Sequence, residues 1–174
     1  MLRKSILLIT IFVFSAGAWA SIKWQVFSPE GARLTILFPG KPELRDSRRP
    51  DDENVSNAHL YIYTMDKKNS YTLFYFDISD KHLKSRTKRG WFDDIQFRLG
   101  SRPNIRINKK RDFKLSGYPA RDLVLFNSKD MITYNIRYVL ARNRMYTIMV
   151  VTRDQKQALK DTRKFLASFR VKRK

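Results

Sequence analysis

The sequence of 174 residues contains no cysteine and only two histidines. The absence of cysteine excludes disulfide bonds, thiolate metal sites, thiol catalysis and thiol redox exchange. Neither His59 nor His82 has a second histidine or a carboxylate at the spacing of a helical metal-binding motif. Asp80 and His82 together offer only a weak divalent site, which the surrounding lysines and arginines disfavour. We therefore expect no metal site and no cofactor.

Long apolar runs are confined to the N-terminus. Residues 1–20, MLRKSILLITIFVFSAGAWA, begin with the basic Arg3 and Lys4, continue in an apolar run, and end in a small-x-small site that closes on Ala20. This pattern predicts a secretory signal peptide cleaved between Ala20 and Ser21. Its uncharged stretch is shorter than the roughly 20 residues that a bilayer span needs. We expect a periplasmic or secreted protein with no transmembrane segment in the mature chain.

Acidic residues are scarce relative to basic ones. The chain has 36 Lys and Arg against 16 Asp and Glu; two of the basic residues and none of the acidic ones precede residue 21, so residues 21–174 carry a net charge of +18. Such an excess predicts attraction to phosphorylated glycolipid, phospholipid head groups, nucleic acid or an acidic protein. The alternative is a general basic bias that serves solubility. Export and the lack of a reader motif argue against nucleic acid.

Residues 21–174 have the length of one ordinary domain, and strand patterns dominate it. Alternating or apolar strand patterns lie at 32–38, 59–65, 71–78, 104–115, 120–126, 131–141 and 144–152. A polar loop at 66–70 and Asn143 mark two of the reversals. Residues 46–56, DSRRPDDENVS, have no apolar period and predict a loop within the domain. Short connections between most consecutive strands favour an antiparallel sheet.

Two segments have the period of helices. In 90–99, Trp91 and the apolar residues four and eight positions later share one face, and Asp93 and Asp94 are placed in the first turn, where carboxylates suit the helix dipole. In the C-terminal segment, an apolar arc opposes a basic face. The apolar arc comprises Ala158, Leu159, Thr162, Phe165, Leu166 and Phe169, and the basic face comprises Arg153, Lys156, Lys160, Arg163 and Lys164. The fold class expected is α+β, with helices packed on the sheet.

The stretch LSGYPARDLVLF, residues 115–126, places polar residues and a turn directly before an apolar strand. Gly117 and Pro119 suit a tight reversal between two strands. Arg121 and Asp122 are neighbours on the second strand and should point to opposite faces of the sheet. They should therefore not act as a catalytic pair, and the stretch is interpreted as the corner of a hairpin.

The order of motifs resembles the PsbP-like superfamily, in particular its small exported bacterial members of unknown function. The resemblance covers residues 22–170 and depends on FPGKP at 38–42, GYPAR at 117–121, RNRMY at 142–146 and FLASF at 165–169. It implies a single PsbP-like domain over 21–174, an α-β-α sandwich with a central, largely antiparallel sheet. It also implies docking without catalysis, since characterised relatives bind larger assemblies such as photosystem II, or a small GTPase. This chain has no pattern that carries over either partner, and its basicity departs from that of the photosynthetic members.

Two basic clusters are the candidate binding residues. The candidates for an anionic ligand are Lys81, Lys84, Arg86, Lys88, Arg89, Lys109, Lys110 and Arg111. The first five precede Trp91 and Phe92, and positive charge beside exposed aromatic surface would suit a phosphate-bearing ligand or a membrane interface. The alternative is a solvated loop in front of a helix whose aromatic residues belong to the core.

No catalytic motif is evident. There is no Gly-x-Ser-x-Gly sequence and no phosphate-binding glycine loop, and the carboxylate pairs at 51–52 and 93–94 are interpreted as solvated charge or dipole complements. The leading hypothesis is an exported, non-catalytic binding or adaptor domain whose partner is an envelope protein. The first alternative is an electrostatic binder of anionic lipid or glycolipid surfaces. The second is a hydrolase with a spatially assembled Ser or Asp site near His59 or His82.

Overall fold

The structure is a computed structural model and describes residues 23–45, 54–67, 69–153 and 158–172. The predicted signal peptide with its cleavage site at Ala20 and Ser21, most of the predicted loop at 46–56, and Lys156 of the predicted basic helix face lie outside the described residues. No helix in the described residues is long and apolar enough to cross a bilayer.

The described residues form ten strands and three helices. The strands are β1 (Gln25–Phe27), β2 (Leu34–Phe38), β3 (Glu43–Arg45), β4 (Val55–Thr64), β5 (Asn69–Ile78), β6 (Ile105–Leu115), β7 (Tyr118–Asn127), β8 (Ile132–Ala141), β9 (Arg144–Thr152) and β10 (Arg170–Val171). The helices are α1 (Asp80–Lys84), α2 (Lys88–Gly100) and α3 (Ala158–Ser168).

Seven strands form the central sheet in the order β3-β4-β5-β9-β8-β7-β6, and every neighbouring pair is antiparallel. The second sheet, β1-β2-β10, packs with α3 on one face of the central sheet, and α2 packs on the other. The predicted α+β sandwich with a largely antiparallel sheet is therefore confirmed.

The layer that contains α3 encloses the larger core cluster. Alternation along β2 buries Leu34, Ile36 and Phe38 completely, as the sequence predicts. Phe38 meets Phe165 of α3 edge to face, with 5.0 Å between the ring centroids. Leu159 is an exception to the predicted apolar arc of α3: it lies in the first turn of the helix and is exposed, because the buried positions begin one turn later.

Helix α2 begins at Lys88, two residues earlier than the sequence predicts. The side chain of Thr87 caps it, since its Oγ1 accepts a hydrogen bond from the Gly90 amide at 3.0 Å. Asp93 and Asp94 consequently lie in the second turn, and the interpretation that they complement the helix dipole is wrong. They form ion pairs with arginines instead.

The stretch 115–126 is a hairpin corner, as predicted. Ser116 and Gly117, both with positive φ (51° and 86°), form a two-residue turn between β6 and β7, which is the geometry that matches the twist of paired strands. Pro119 lies in β7 and not in the turn. Arg121 and Asp122 point to opposite faces of the sheet, where each forms ion pairs with residues on its own side.

Candidate functional site

The face of the central sheet that carries α2 is covered by that helix over only part of its width. The strand register aligns one row of residues across it, in the order Leu60, Phe74, Thr147, Tyr138 and Arg121. Helix α2 packs on the Arg121 end of the row, through its contacts with β6 and β7. The other four residues line a cleft.

The cleft has a volume of about 1040 Å³. Pockets for small ligands typically measure about 300–1,000 Å³, so this one has room for an extended ligand. Apolar side chains dominate its floor: Leu60, Phe74, Phe76, Ile136, Met145 and Met149. One face of α2 and the turn after it form a wall: Trp91, Asp94, Ile95, Arg98, Leu99 and Arg102. Their spacing of three and four residues is that of a single helix face.

The charge on this wall is unbalanced. Three arginines line the cleft, Arg86, Arg98 and Arg102, against one carboxylate, Asp94. Asp94 forms an ion pair with Arg86, whose guanidinium also lies over the Trp91 ring, 5.3 Å from its centroid. Within the described ranges, neither Arg98 nor Arg102 has a carboxylate at ion-pair distance. The excess positive charge in the cleft therefore belongs to these two arginines.

Two buried residues with polar groups line the cleft, Tyr138 and Trp91. Burial raises the pKa of the Tyr138 hydroxyl well above its ordinary value, while the positive charge of Arg102 acts in the opposite direction. Trp91 is 92% buried, and its Nε1–H has no acceptor in the part of the chain that the structure describes. Leaving a buried donor unpaired costs about 1–3 kcal/mol.

The sequence-predicted basic residues divide between the cleft and its surroundings. Arg86 lines the cleft. The others are exposed: Lys81 and Lys84 on α1, Lys88 and Arg89 in the first turn of α2, and Lys109, Lys110 and Arg111 on the edge strand β6. Arg111 forms an ion pair with Asp122 at 2.9 Å.

The two predicted clusters approach each other at Asp112. Hydrogen bonds from Arg121 hold the pKa of Asp112 below its usual range despite partial burial, and the charges of Lys110 and Arg89 act in the same direction. The clusters thus flank the outer side of α2, while the cleft lies on its inner side. Sequence reasoning missed Arg98, although it lies seven residues after Trp91 and so on the predicted helix face.

The two histidines are in different environments. His59 stacks on Tyr75 with 5.0 Å between ring centroids and does not line the cleft, whereas His82 lines it and meets Trp91 edge to face at 4.9 Å. Asp94 is the one carboxylate among the described residues that line the cleft, and it forms an ion pair with Arg86. None of the described residues that line the cleft is a serine. Across the described ranges, no three His, Asp or Glu side chains come together in a group that would hold a metal ion.

Comparison with solved structures finds similar chains. Cyanobacterial PsbP (CyanoP) from Synechocystis sp. PCC 6803, known from its solution structure, matches with a TM-score of 0.61 and 14% identity over 91% of this chain and 98% of that one. A protein of unknown function, PA94 from Pseudomonas aeruginosa, matches with a TM-score of 0.45 and 10% identity over 80% and 89% of the two chains.

No family model and no curated protein matches the sequence. At 14% identity, the similarity to cyanobacterial PsbP concerns the fold alone. That similarity extends over nearly the whole of both chains, and it agrees with the antiparallel sheet enclosed between α2 and the α3 layer. The chain therefore has the PsbP-like fold.

Proposed function

We propose that this chain is an exported, non-catalytic binding protein and that the cleft beside α2 is its binding site. The observation that carries the proposal is the partly covered sheet face, where a large apolar floor lies against a helix wall whose Arg98 and Arg102 have no carboxylate partner among the residues that the structure describes. Apolar surface buried there by a ligand or partner contributes about 2.5 kcal/mol per 100 Å². The lining residues supply binding groups, and the one carboxylate among them is already paired.

Binding in the cleft is tested with the uncharged apolar dye Nile red and purified residues 21–174. Thr147→Trp places a large side chain in the middle of the floor, between Phe74 and Tyr138, and should abolish the fluorescence increase of the dye. Thr64→Trp is the matched control, because Thr64 is exposed on β4 and does not line the cleft. Equal dye binding by both variants would contradict the proposed site.

Export is tested separately. The protein recovered from outside the cytoplasm should begin at Ser21, which N-terminal mass analysis measures directly. Recovery of the intact chain from the cytoplasm alone would contradict export. Reproducible turnover of a substrate, abolished by one substitution in the cleft, would contradict the non-catalytic part of the proposal and favour the hydrolase alternative around His82.

A second candidate function is attachment to an anionic surface through the exposed basic clusters on the outer side of α2. The exposure of Lys81, Lys84, Lys88 and Lys110 favours it. Co-sedimentation with vesicles of anionic phospholipid should then decrease strongly between low and high salt, because exposed charges are screened. Binding that is absent, or that does not change with ionic strength, would exclude this candidate.

A further inference from the structure

We infer that the cleft binds a single-chain anionic lipid, a molecule with one acyl chain and one anionic head group. The acyl chain lies on the floor, and the head group is bound by Arg98 and Arg102. The inference rests on the proposed function and names the ligand class of that site.

The first argument is the separation of charge from apolar surface within the cleft. Arg86 and Asp94 neutralise each other, so the net charge is confined to Arg98 and Arg102, in the last turn of α2 and just beyond it. The strand residues that form the floor carry no charge. A ligand that is anionic at one end and apolar along the rest of its length matches this distribution.

The second argument is the position of the two arginines. Arg98 lies in the last turn of α2 and Arg102 lies two residues beyond its end, and both line the cleft. One anion in the cleft can therefore contact both. Guanidinium groups also bind carboxylates and phosphates through paired hydrogen bonds.

The third argument concerns the polar groups of the cleft. An extended peptide would bring one N–H and one C=O per residue, and each needs a partner when buried. The described strands of the cleft offer only side-chain groups, the hydroxyls of Thr72, Tyr134, Tyr138 and Thr147 and the amide of Asn127. An acyl chain needs none.

Trp91 also supplies a readout of the position of the ligand. It lines the cleft, whereas Trp24 lies on the opposite side of the sheet, against Tyr71 and under Lys164. Dibromostearate, a fatty acid whose bromines quench nearby tryptophans, should therefore quench the emission of residues 21–174. The quenching should persist in Trp24→Phe and disappear in Trp91→Phe. Quenching that depends on Trp24 instead would place the ligand on the wrong face and overturn the inference.

The decisive experiment compares head groups at one chain length. Affinities of residues 21–174 are measured for oleate, for uncharged oleyl alcohol and for a cationic long-chain ammonium, all below their micelle concentrations. Oleate should bind most tightly. The double substitution Arg98→Gln and Arg102→Gln should weaken oleate binding at least about tenfold, which corresponds to the loss of one charge-assisted contact. It should leave the affinity for oleyl alcohol nearly unchanged. The control is the double substitution Arg106→Gln and Arg163→Gln, which removes the same amount of charge. Both residues are exposed and lie outside the cleft.

The outcomes separate this inference from the function on which it rests. Equal affinity for the three head groups, with binding still abolished by Thr147→Trp, would refute the anionic lipid and leave the cleft as a binding site. An equal loss of oleate affinity in the control variant would refute the roles of Arg98 and Arg102. Preferential binding of an apolar helical peptide, or binding only to vesicles, would also overturn the inference. Failure of every probe, including Nile red, would refute the proposed function itself.

Discussion

The ion pair between Asp77 and Arg144 predicts a large effect of a small substitution. Arg144 donates hydrogen bonds to both carboxylate oxygens of Asp77, at 2.5 and 2.8 Å, and a third to the Gly31 carbonyl at 2.6 Å. Its guanidinium also lies 5.1 Å from the centroid of the Tyr75 ring. The two side chains are only 9% and 14% exposed, so water does not replace a partner that is removed.

Asp77→Asn leaves the guanidinium buried without its countercharge. Breaking a buried pair from one side typically costs about 3–5 kcal/mol, and because asparagine keeps one acceptor oxygen we expect the lower end, about 3 kcal/mol. Burial alone would raise the pKa of Asp77, but hydrogen bonds from Arg144 and Asn57 outweigh burial and hold that pKa below its usual range. The contribution is therefore present above the unfolded value of about 4 and is lost as the pH falls through the lower folded value.

The assay is urea unfolding of residues 21–174 at neutral pH and again below about pH 4, followed by tryptophan fluorescence. The difference between the wild type and Asp77→Asn should be about 3 kcal/mol at neutral pH and should shrink in acid. Glu43→Gln is the control, since its pair with Arg45 is mostly exposed and is worth at most about 1 kcal/mol. If Asp77→Asn changes stability no more than this control, the assignment of the pair as a structural anchor is refuted.

Three further predictions follow from the same kind of geometry. Asp112→Asn should lower the free energy of unfolding by about 2 kcal/mol in urea titrations, less than Asp77→Asn, because Arg121 keeps Asp93 as a partner and Asp112 is partly exposed; no measurable change would refute it. Tyr146→Phe should cost about 1–2 kcal/mol by the same measurement, since the Tyr146 hydroxyl donates to the buried Ala32 carbonyl at 2.9 Å; an unchanged midpoint would contradict that. Phe165→Ala should lower the stability by about 3–5 kcal/mol and expose the α3 side to an apolar dye, and a loss below about 1 kcal/mol would show that the α3 side does not require this side chain.

The sequence predicts the fold well because its main signals are local. The alternation in β2, the polar reversal at Asn143 and the apolar arc of α3 depend on neighbours within a few residues, and the structure has the corresponding elements. The positions of Asp93 and Asp94 were less predictable. Thr87 is a favoured N-cap residue, but the apolar period of α2 becomes visible only from Trp91, so the predicted start of the helix is too late.

The cleft could not be predicted from the sequence. Periodicity shows that α2 has an apolar face, but it does not show over which strands the helix lies. That placement depends on a distant residue, Arg121 on β7, which donates hydrogen bonds from its Nη1 to Asp93 at 2.7 Å and to Gln96 at 3.2 Å. Arg121 is completely buried, although arginine side chains are mostly exposed in proteins. Composition therefore does not predict this burial.

The positive charge of the chain occurs in three distinct settings in the described residues. Three arginines are buried, and each binds a carboxylate through two hydrogen bonds: Arg121, Arg137 and Arg144. They hold the layers together, and they contribute little to the electric field outside the protein. The exposed lysines around α2 face water, where salt screens them. Arg98 and Arg102 differ from both groups, because they stand beside a large apolar surface with no countercharge. The density of positive charge therefore favours the outer clusters as a binding site, whereas positive charge next to apolar surface favours the cleft. A ligand that is both anionic and apolar distinguishes the two sites.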